Sequence, residues 1–159
     1  MDTQVLFVCT GNICRSPAAE GIFKHLLKQT GLLGRMQVDS AGTDAYHVGE
    51  KADSRMREAA SNRGYRLDSI SRQLRTIDFE RFEWIIAMDE GHYRYLRKLA
   101  RSIEEMNKIK RMTDFCQRHQ IDHVPDPYYG GSRGFEDVLD ILEDACEGLL
   151  NSIKNNTEE

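Results

Sequence analysis

The sequence predicts a small doubly wound α/β domain, a four-stranded parallel sheet with helices on both faces. Three observations carry this reading. Apolar runs of strand length alternate with helical periodicities along the chain. The first run leads, through one short loop, directly into a helical pattern. The chain closes on a long segment with a continuous apolar stripe. At 159 residues the chain fits one domain, residues 1–159, with enough length for a substantial core.

The elements follow in order. Val5 to Val8 reads as a short buried strand. After the loop Cys9-Thr-Gly-Asn-Ile-Cys-Arg15, Ser16 suits a helix N-cap and Pro17 the first helical position. Ala19, Ile22, Phe23 and Leu26 give that helix its buried face. Met36 to Val38 is a weak second strand, followed by a turn over 39–43. Met56, Ala59 and Ala60 mark another helix, and Glu83 to Met88 a strong third strand. Tyr93, Leu96, Ala100 and Ile103 share helical spacing, and Lys108 to Met112 reads as a weak edge strand. The last helix is the clearest: Phe135, Val138, Leu139, Leu142, Ala145, Cys146, Leu149 and Ile153 form one stripe, opposite Glu136, Asp140, Glu143 and Glu147. The tail at 153–159 is expected to fray. Alternating elements of this kind imply a parallel sheet covered on both faces, with ligands bound beyond the carboxyl ends of the strands.

Composition narrows the class. The chain is 40% hydrophobic and 30% charged, with a net charge of −4. That balance argues against a general nucleic-acid role. Eight Lys/Arg against three Asp/Glu gather between Arg94 and Arg118, and at helical spacing they read as a solvated face. No leader pattern is present and no apolar run has membrane length, so a cytoplasmic protein without membrane attachment is expected. Cysteines at 9, 14, 116 and 146 fit no zinc spacing, and no metal or cofactor is expected. Cys116 and Cys146 read as buried core thiols.

The chemistry begins at Cys9. A loop held between a strand end and a helix N-terminus turns its N–H groups inward, and the helix dipole adds positive potential. Such a cradle suits a phosphate-sized dianion and holds a cysteine as its nucleophilic thiolate. Arg15 adds a planar fork for two phosphoryl oxygens. Together they describe phosphoryl transfer to sulfur. Far along the chain, Asp126 stands between Pro125 and Pro127 on a stiff loop. It can protonate a leaving oxygen and then deprotonate the attacking water.

These segments resemble the low molecular weight protein tyrosine phosphatases. The matching motifs are Val-Cys-x-Gly-Asn-Ile-Cys-Arg-Ser-Pro at the first strand, Asp-Ser-Ala-Gly-Thr at 39–43, Ala-Met-Asp at 87–89 and Asp-Pro-Tyr-Tyr-Gly at 126–130. The resemblance implies metal-free hydrolysis of phosphotyrosine proteins. Cys9 would be the nucleophile, Arg15 the phosphate clamp and Asp126 the acid and base. Thr10, Gly11, Asn12, Ile13, Cys14 and Ser16 would complete the loop. It further implies that Ser16 donates to the sulfur, that Ser40 supports Asn12, and that Tyr46, His47, Tyr128 and Tyr129 form the rim. Asp89, which opens a helix after the third strand, reads as an N-cap supporting the site. Some family members carry a histidine where this chain has Ser69, which leaves the support around Asn12 open. Cys14 shares the loop with Cys9 and is the expected redox partner for it. The chain is expected to act as a monomer or weak homodimer. Rival readings fit less well. An arsenate reductase of this fold would need further cysteines after the third strand, and residues 79 to 99 contain none. A binding module without catalysis would be expected to lack Cys9, Arg15 or Asp126. The Walker pattern of nucleotide-binding loops is absent.

Overall fold

The computed structural model describes residues 3–128 and 131–157. In chain order, β1 (Thr3–Cys9) leads into α1 (Arg15–Gln29) and β2 (Met36–Gly42). The helix α2 (Ser54–Ser61) and the single turn α3 (Asp78–Arg81) precede β3 (Trp84–Ala87). Next come α4 (Glu90–Leu99), the single turn α5 (Ile103–Met106) and β4 (Ile109–Arg111), and α6 (Ser132–Thr157) closes the chain. The strands form one sheet in the order β2-β1-β3-β4, and every pair is parallel.

The two-residue period of β1 sorts the core into two layers. Val5 and Phe7 face α1 and α6, in one cluster with Phe23, Leu27, Leu139 and Leu142. Leu6 and Val8 face the other way, in a cluster with Phe79, Phe82, Leu96 and Ile109. All eight residues of the α6 stripe are buried, and each large one contributes roughly 1.5–3 kcal/mol by leaving water. The close approach of α6 has one sharp constraint. A Cβ on Gly148 would lie 1.8 Å from the Phe115 carbonyl oxygen.

β1 lies between β2 and β3, so the connections on its two sides run in opposite directions. This reversal opens a crevice at its carboxyl end, where Cys9 stands.

Several boundaries differ from those read off the sequence. β2 runs through Gly42, so Asp39–Gly42 is strand rather than turn: Leu6 through Cys9 of β1 pair with Asp39 through Gly42. The backbone ladder overrides the turn preference of Asp and Ser there. Glu83 and Met88 flank β3, and Lys108 and Met112 flank β4. The apolar spacing that joins Tyr93 to Ile103 spans two elements. α4 stops at Leu99, Ser102 caps α5, and Ile103 is 76% exposed. The tail expected to fray from 153 is helical to Thr157, because Ile153 is fully buried under the end of the stripe. Cys146 is buried, whereas Cys116 is only half-buried.

The basic stretch behaves as a solvated face. Arg101 pairs with Glu80 and Glu105, Arg111 with Glu90, and Arg118 with Glu147. Among the described residues no helix is long and apolar enough to cross a membrane.

Candidate active site

α1 begins at Arg15, earlier than the sequence suggests. Cys14 is the N-cap and makes no side-chain capping bond, so Ser16 is not the cap. Ser16 is instead the second helical residue and Pro17 the third, still within the turn whose N–H groups have no helical acceptor. The shift frees the Ser16 hydroxyl for the loop. It lies 3.0 Å from Cys9 Sγ. First-turn amides without a capping side chain are the donors an anion needs.

Asn12 shapes the loop. Its φ is +58°, in the left-handed region that asparagine tolerates. Its Nδ2 donates to Ser16 Oγ at 2.8 Å, and its Oδ1 accepts from the Arg72 backbone N–H at 3.0 Å. Ser71 Oγ donates to the Gly11 carbonyl at 2.9 Å. Support for Asn12 therefore comes from Ser16 and the Arg72 backbone N–H, while the Ser71 hydroxyl holds the neighbouring Gly11. The expectation for Ser40 is corrected here: its hydroxyl donates to buried Glu20 at 2.6 Å rather than to Asn12. Ser69 lies beside a shallow groove with Glu20 and Lys24. Close packing is also imposed by Gly42, where a Cβ would sit 2.6 Å from the Thr10 carbonyl oxygen.

Arg15 is buried and held from two sides. One terminal nitrogen donates to Asp89 Oδ2 at 3.0 Å and to the Val124 carbonyl at 2.9 Å. The other lies 3.7 Å from Asp126 Oδ2. Asp89 does cap α4, accepting from the His92 N–H at 2.9 Å, and it supports Arg15 at the same time. Burial alone would raise the Asp89 carboxyl; the His92 amide and Arg15 outweigh it and hold the pKa below the ordinary carboxylate value.

The Asp126 loop docks through Val124, which is fully buried and whose N–H donates to the Met88 carbonyl at the end of β3. Asp126 Oδ1 accepts from the Tyr128 N–H at 3.0 Å, a local turn that orients the carboxylate. Around the mouth, the His47 ring stands 6.0 Å from both Tyr46 and Tyr128. His47 Nδ1 lies 3.1 Å from Glu50. Arg55, paired with Asp53, lies over the Tyr128 ring and donates to its carbonyl.

A cavity of about 480 Å³ joins these residues. It is lined by Cys9, Thr10, Gly11, Ile13, Cys14 and Arg15 from the loop, by Asp44, Tyr46 and His47 from one side, and by Asp126 and Tyr128 from the other. Asn12, Ser16 and Asp89 stand behind it, and Ser40 stands apart. Tyr129 lies outside the described residues. A second cavity of about 470 Å³ over α2 has Lys51, Arg57 and Arg66 on its walls but no cysteine.

Three supporting residues escape a reading by motif. Val124 is an apolar residue two positions before Asp126. Arg72 acts through its backbone, and its side chain pairs with Asp39 and Asp78. His92 touches Thr10 from the first turn of α4. The only local signal for His92 is its place three residues after the capping Asp89.

Comparison with known proteins agrees with this geometry. The family model for low molecular weight phosphotyrosine protein phosphatase matches residues 4–159. A low molecular weight protein-tyrosine-phosphatase from Streptomyces coelicolor is 41% identical, covering 99% of this chain and 98% of the relative. A protein tyrosine phosphatase from Entamoeba histolytica, crystallised with Hepes in its active site, is 47% identical, with a TM-score of 0.95 over 98% of this chain and 99% of that one. YfkJ from Bacillus subtilis has a TM-score of 0.91 at 38% identity, covering 98% and 97%. With Cys9, Arg15 and Asp126 gathered in one cavity of a matching fold, the chain belongs to the low molecular weight phosphotyrosine protein phosphatase family.

Proposed function

We propose that this phosphatase hydrolyses phosphotyrosine proteins in two displacements at the cradle formed by residues 9–15. In the first, the Cys9 thiolate attacks phosphorus in line; the S–P bond forms as the P–O bond to the phenol breaks. Asp126 gives its proton to the departing phenolate. In the second, Asp126 takes a proton from water, whose oxygen attacks the phosphocysteine. Inorganic phosphate leaves and the thiolate returns. The amides of residues 10–15 and the Arg15 fork carry the charge on the equatorial oxygens, usually the largest catalytic contribution. The cycle needs no metal ion.

One observation carries this reading: Cys9, Arg15 and Asp126 line a single cavity, with the Arg15 fork 3.7 Å from the Asp126 carboxylate. Tyr46, His47, Tyr128 and Ile13 give that cavity the apolar and aromatic walls that suit a phenyl ring. We assign them, with Tyr129, to selection of the aryl group. Ser16 and Asn12 support the sulfur, Asp89 supports Arg15, and Cys14 guards Cys9 against over-oxidation. Free thiols at the site fit a reducing cytoplasm. The enzyme acts as a monomer or weak homodimer.

The test is Cys9→Ser assayed on p-nitrophenyl phosphate and on a phosphotyrosine peptide. Turnover is expected to vanish while inorganic phosphate still binds. Substantial residual turnover, or loss of wild-type activity on treatment with a chelator, overturns the assignment.

A further inference from the structure

His92 is buried, 4% exposed, in the first turn of α4. The two displacements give it no task, yet its contacts all lead to the phosphate loop. Nε2 lies 2.7 Å from Oγ1 of Thr10, the residue after Cys9. Its backbone N–H donates to Asp89 Oδ1, and its Nδ1 lies 3.1 Å from that same oxygen. Asp89 Oδ2 accepts from Arg15. A continuous chain of contacts therefore runs Thr10–His92–Asp89–Arg15 and joins the nucleophile end of the loop to its arginine end.

The proton on the imidazole can be placed. Nδ1 is a buried nitrogen with no well-formed hydrogen bond among the described residues. The polar group beside it is a carboxylate oxygen. A bare lone pair there would be repelled by Asp89, so the ring proton belongs on Nδ1. Nε2 is then an acceptor, and the Thr10 hydroxyl donates to it. Burial and the Arg15 charge hold the imidazole neutral, with its pKa pushed down to about 4 against the opposing pull of Asp89 and Asp126. A cationic ring would lose the Nε2 acceptor and set a second positive charge near Arg15.

We propose that His92 is a positioning residue of the phosphate cradle: it fixes Thr10 beside the nucleophile and, through Asp89, the fork of Arg15, so that the two ends of the loop keep one spacing. The proposal rests on the assignment of residues 9–15 as that cradle. A failure of that assignment shows as turnover by Cys9→Ser, which no result on His92 can mimic.

The experiment compares His92→Leu, His92→Gln, His92→Asn, Thr10→Val and the double variant Thr10→Val/His92→Leu. Each is assayed for kcat, KM, inhibition by inorganic phosphate, and Tm. His92→Leu is expected to lower kcat/KM about 10- to 100-fold and to weaken phosphate inhibition several-fold, the range for breaking a buried polar contact. Gln places a polar terminus where Nε2 stands, so His92→Gln should recover most of the loss. Asn reaches only as far as Nδ1, so His92→Asn should not. Thr10→Val should weaken phosphate inhibition too, and the double variant should lose little more than the worse single one, as for residues acting in one contact. The proposal is overturned if His92→Leu lowers Tm but leaves phosphate inhibition within about twofold of wild type, if Gln and Asn behave alike, or if the single losses multiply. Should His92→Leu fail to fold, Thr10→Val decides alone, because it leaves His92 in place: unchanged phosphate inhibition in that variant rejects the proposal.

Discussion

The hydroxyl of Ser16 lies 3.0 Å from the sulfur of Cys9, and the surrounding bonds fix its direction. The Arg72 N–H donates to Asn12 Oδ1, which sets the orientation of the Asn12 amide. Asn12 Nδ2 therefore faces Ser16 Oγ and donates to it at 2.8 Å. With that lone pair occupied, the Ser16 proton turns to the sulfur. Ser16 is thus a directed donor to Cys9, aimed through Asn12 by a backbone amide 60 residues from that asparagine.

In the proposed cycle this arrangement stabilises negative charge on sulfur, both in the attacking thiolate and in the thiolate that leaves when the phosphocysteine breaks down. A hydrogen bond to a charged acceptor contributes about 1.5–3 kcal/mol, so Ser16→Ala should slow turnover roughly 10- to 100-fold. Asn12→Ala should cost activity as well, because it leaves Ser16 free to turn, and it also loses a residue suited to positive φ. Rapid-quench trapping of the phosphoenzyme checks the first point. If Ser16→Ala neither slows attack nor lengthens the lifetime of the intermediate, the bond to sulfur has no catalytic weight.

Asp126 is held by Pro125 and Pro127 and by its own bond to the Tyr128 N–H. Asp126→Ala should slow hydrolysis of phenyl phosphate on the order of 10²- to 10⁴-fold, the usual contribution of a positioned acid. The loss should shrink for esters of weakly basic phenols, which depart without a proton. Rates across a series of substituted phenyl phosphates give the dependence on leaving group. An equal loss for every ester would assign Asp126 to shaping the loop rather than to proton transfer.

Asp144 on α6 holds the segment that leads toward the Asp126 loop. It is fully buried and accepts from the backbone N–H groups of Gln117, Arg118 and His119, at 2.9, 3.0 and 2.8 Å. His119 Nδ1 stands 2.8 Å from the same carboxylate. Burial alone would raise its pKa; these donors outweigh burial and hold the carboxyl well below the ordinary value of 3.8. A depressed pKa adds stability above the unfolded value and loses it as pH falls through the folded one. Asp144→Asn should therefore destabilise the fold at neutral pH by about 2–3 kcal/mol, lowering Tm by roughly 5–10 °C at this chain length. The gap between the two proteins should narrow below about pH 4. Thermal unfolding across pH measures it, and a gap that stays constant down to about pH 2.5 would show that the charge on Asp144 is not what holds the segment.

The residues assigned to the chemistry were legible because they sit in tight local motifs. Cys9 and Arg15 share one loop, and the two prolines announce a stiff Asp126. The α6 stripe and the parallel sheet were legible from periodicity. What the sequence hid are contacts made across long separations. The bonds from Arg72 to Asn12 and from Ser71 to Gly11 span 60 residues, and the bond from Thr10 to His92 spans 82. Each joins residues whose nearest neighbours in sequence give no hint of the partner. The helix start at Arg15 was hidden for another reason: Ser16 has an intrinsic preference for the cap, and the sulfur beside it gives its hydroxyl a different partner. Ser40 was misread because its partner, Glu20, faces it from α1.

The last prediction concerns Cys14, a free thiol buried in the same loop as Cys9. Burial raises its pKa most, and the negative charges of Asp53, Cys9 and Asp126 raise it further, so it stays protonated across the physiological range. Peroxide would convert the Cys9 thiolate to a sulfenic acid. The Cys14 thiolate could then attack that sulfur, forming the S–S bond and expelling hydroxide, which is protonated to water. The scarce species is the Cys14 thiolate, so capture should be slow at neutral pH and should quicken about tenfold per pH unit while the thiol remains mostly protonated. A brief peroxide pulse, removal of peroxide and timed alkylation would measure this step apart from the first oxidation. Peptide mapping should find Cys9 joined to Cys14, with faster appearance at higher pH and activity restored by a dithiol reductant. Cys14→Ser should lose activity at a similar initial rate, since that step belongs to Cys9, and should recover less completely after longer exposure. Over-oxidised Cys9 without any Cys9–Cys14 bridge, or full recovery of Cys14→Ser, would leave Cys14 as a packing residue of the loop. A bridge that forms at the same rate from pH 6 to pH 9 would mean that a step independent of Cys14 ionisation, such as opening of the loop, limits capture.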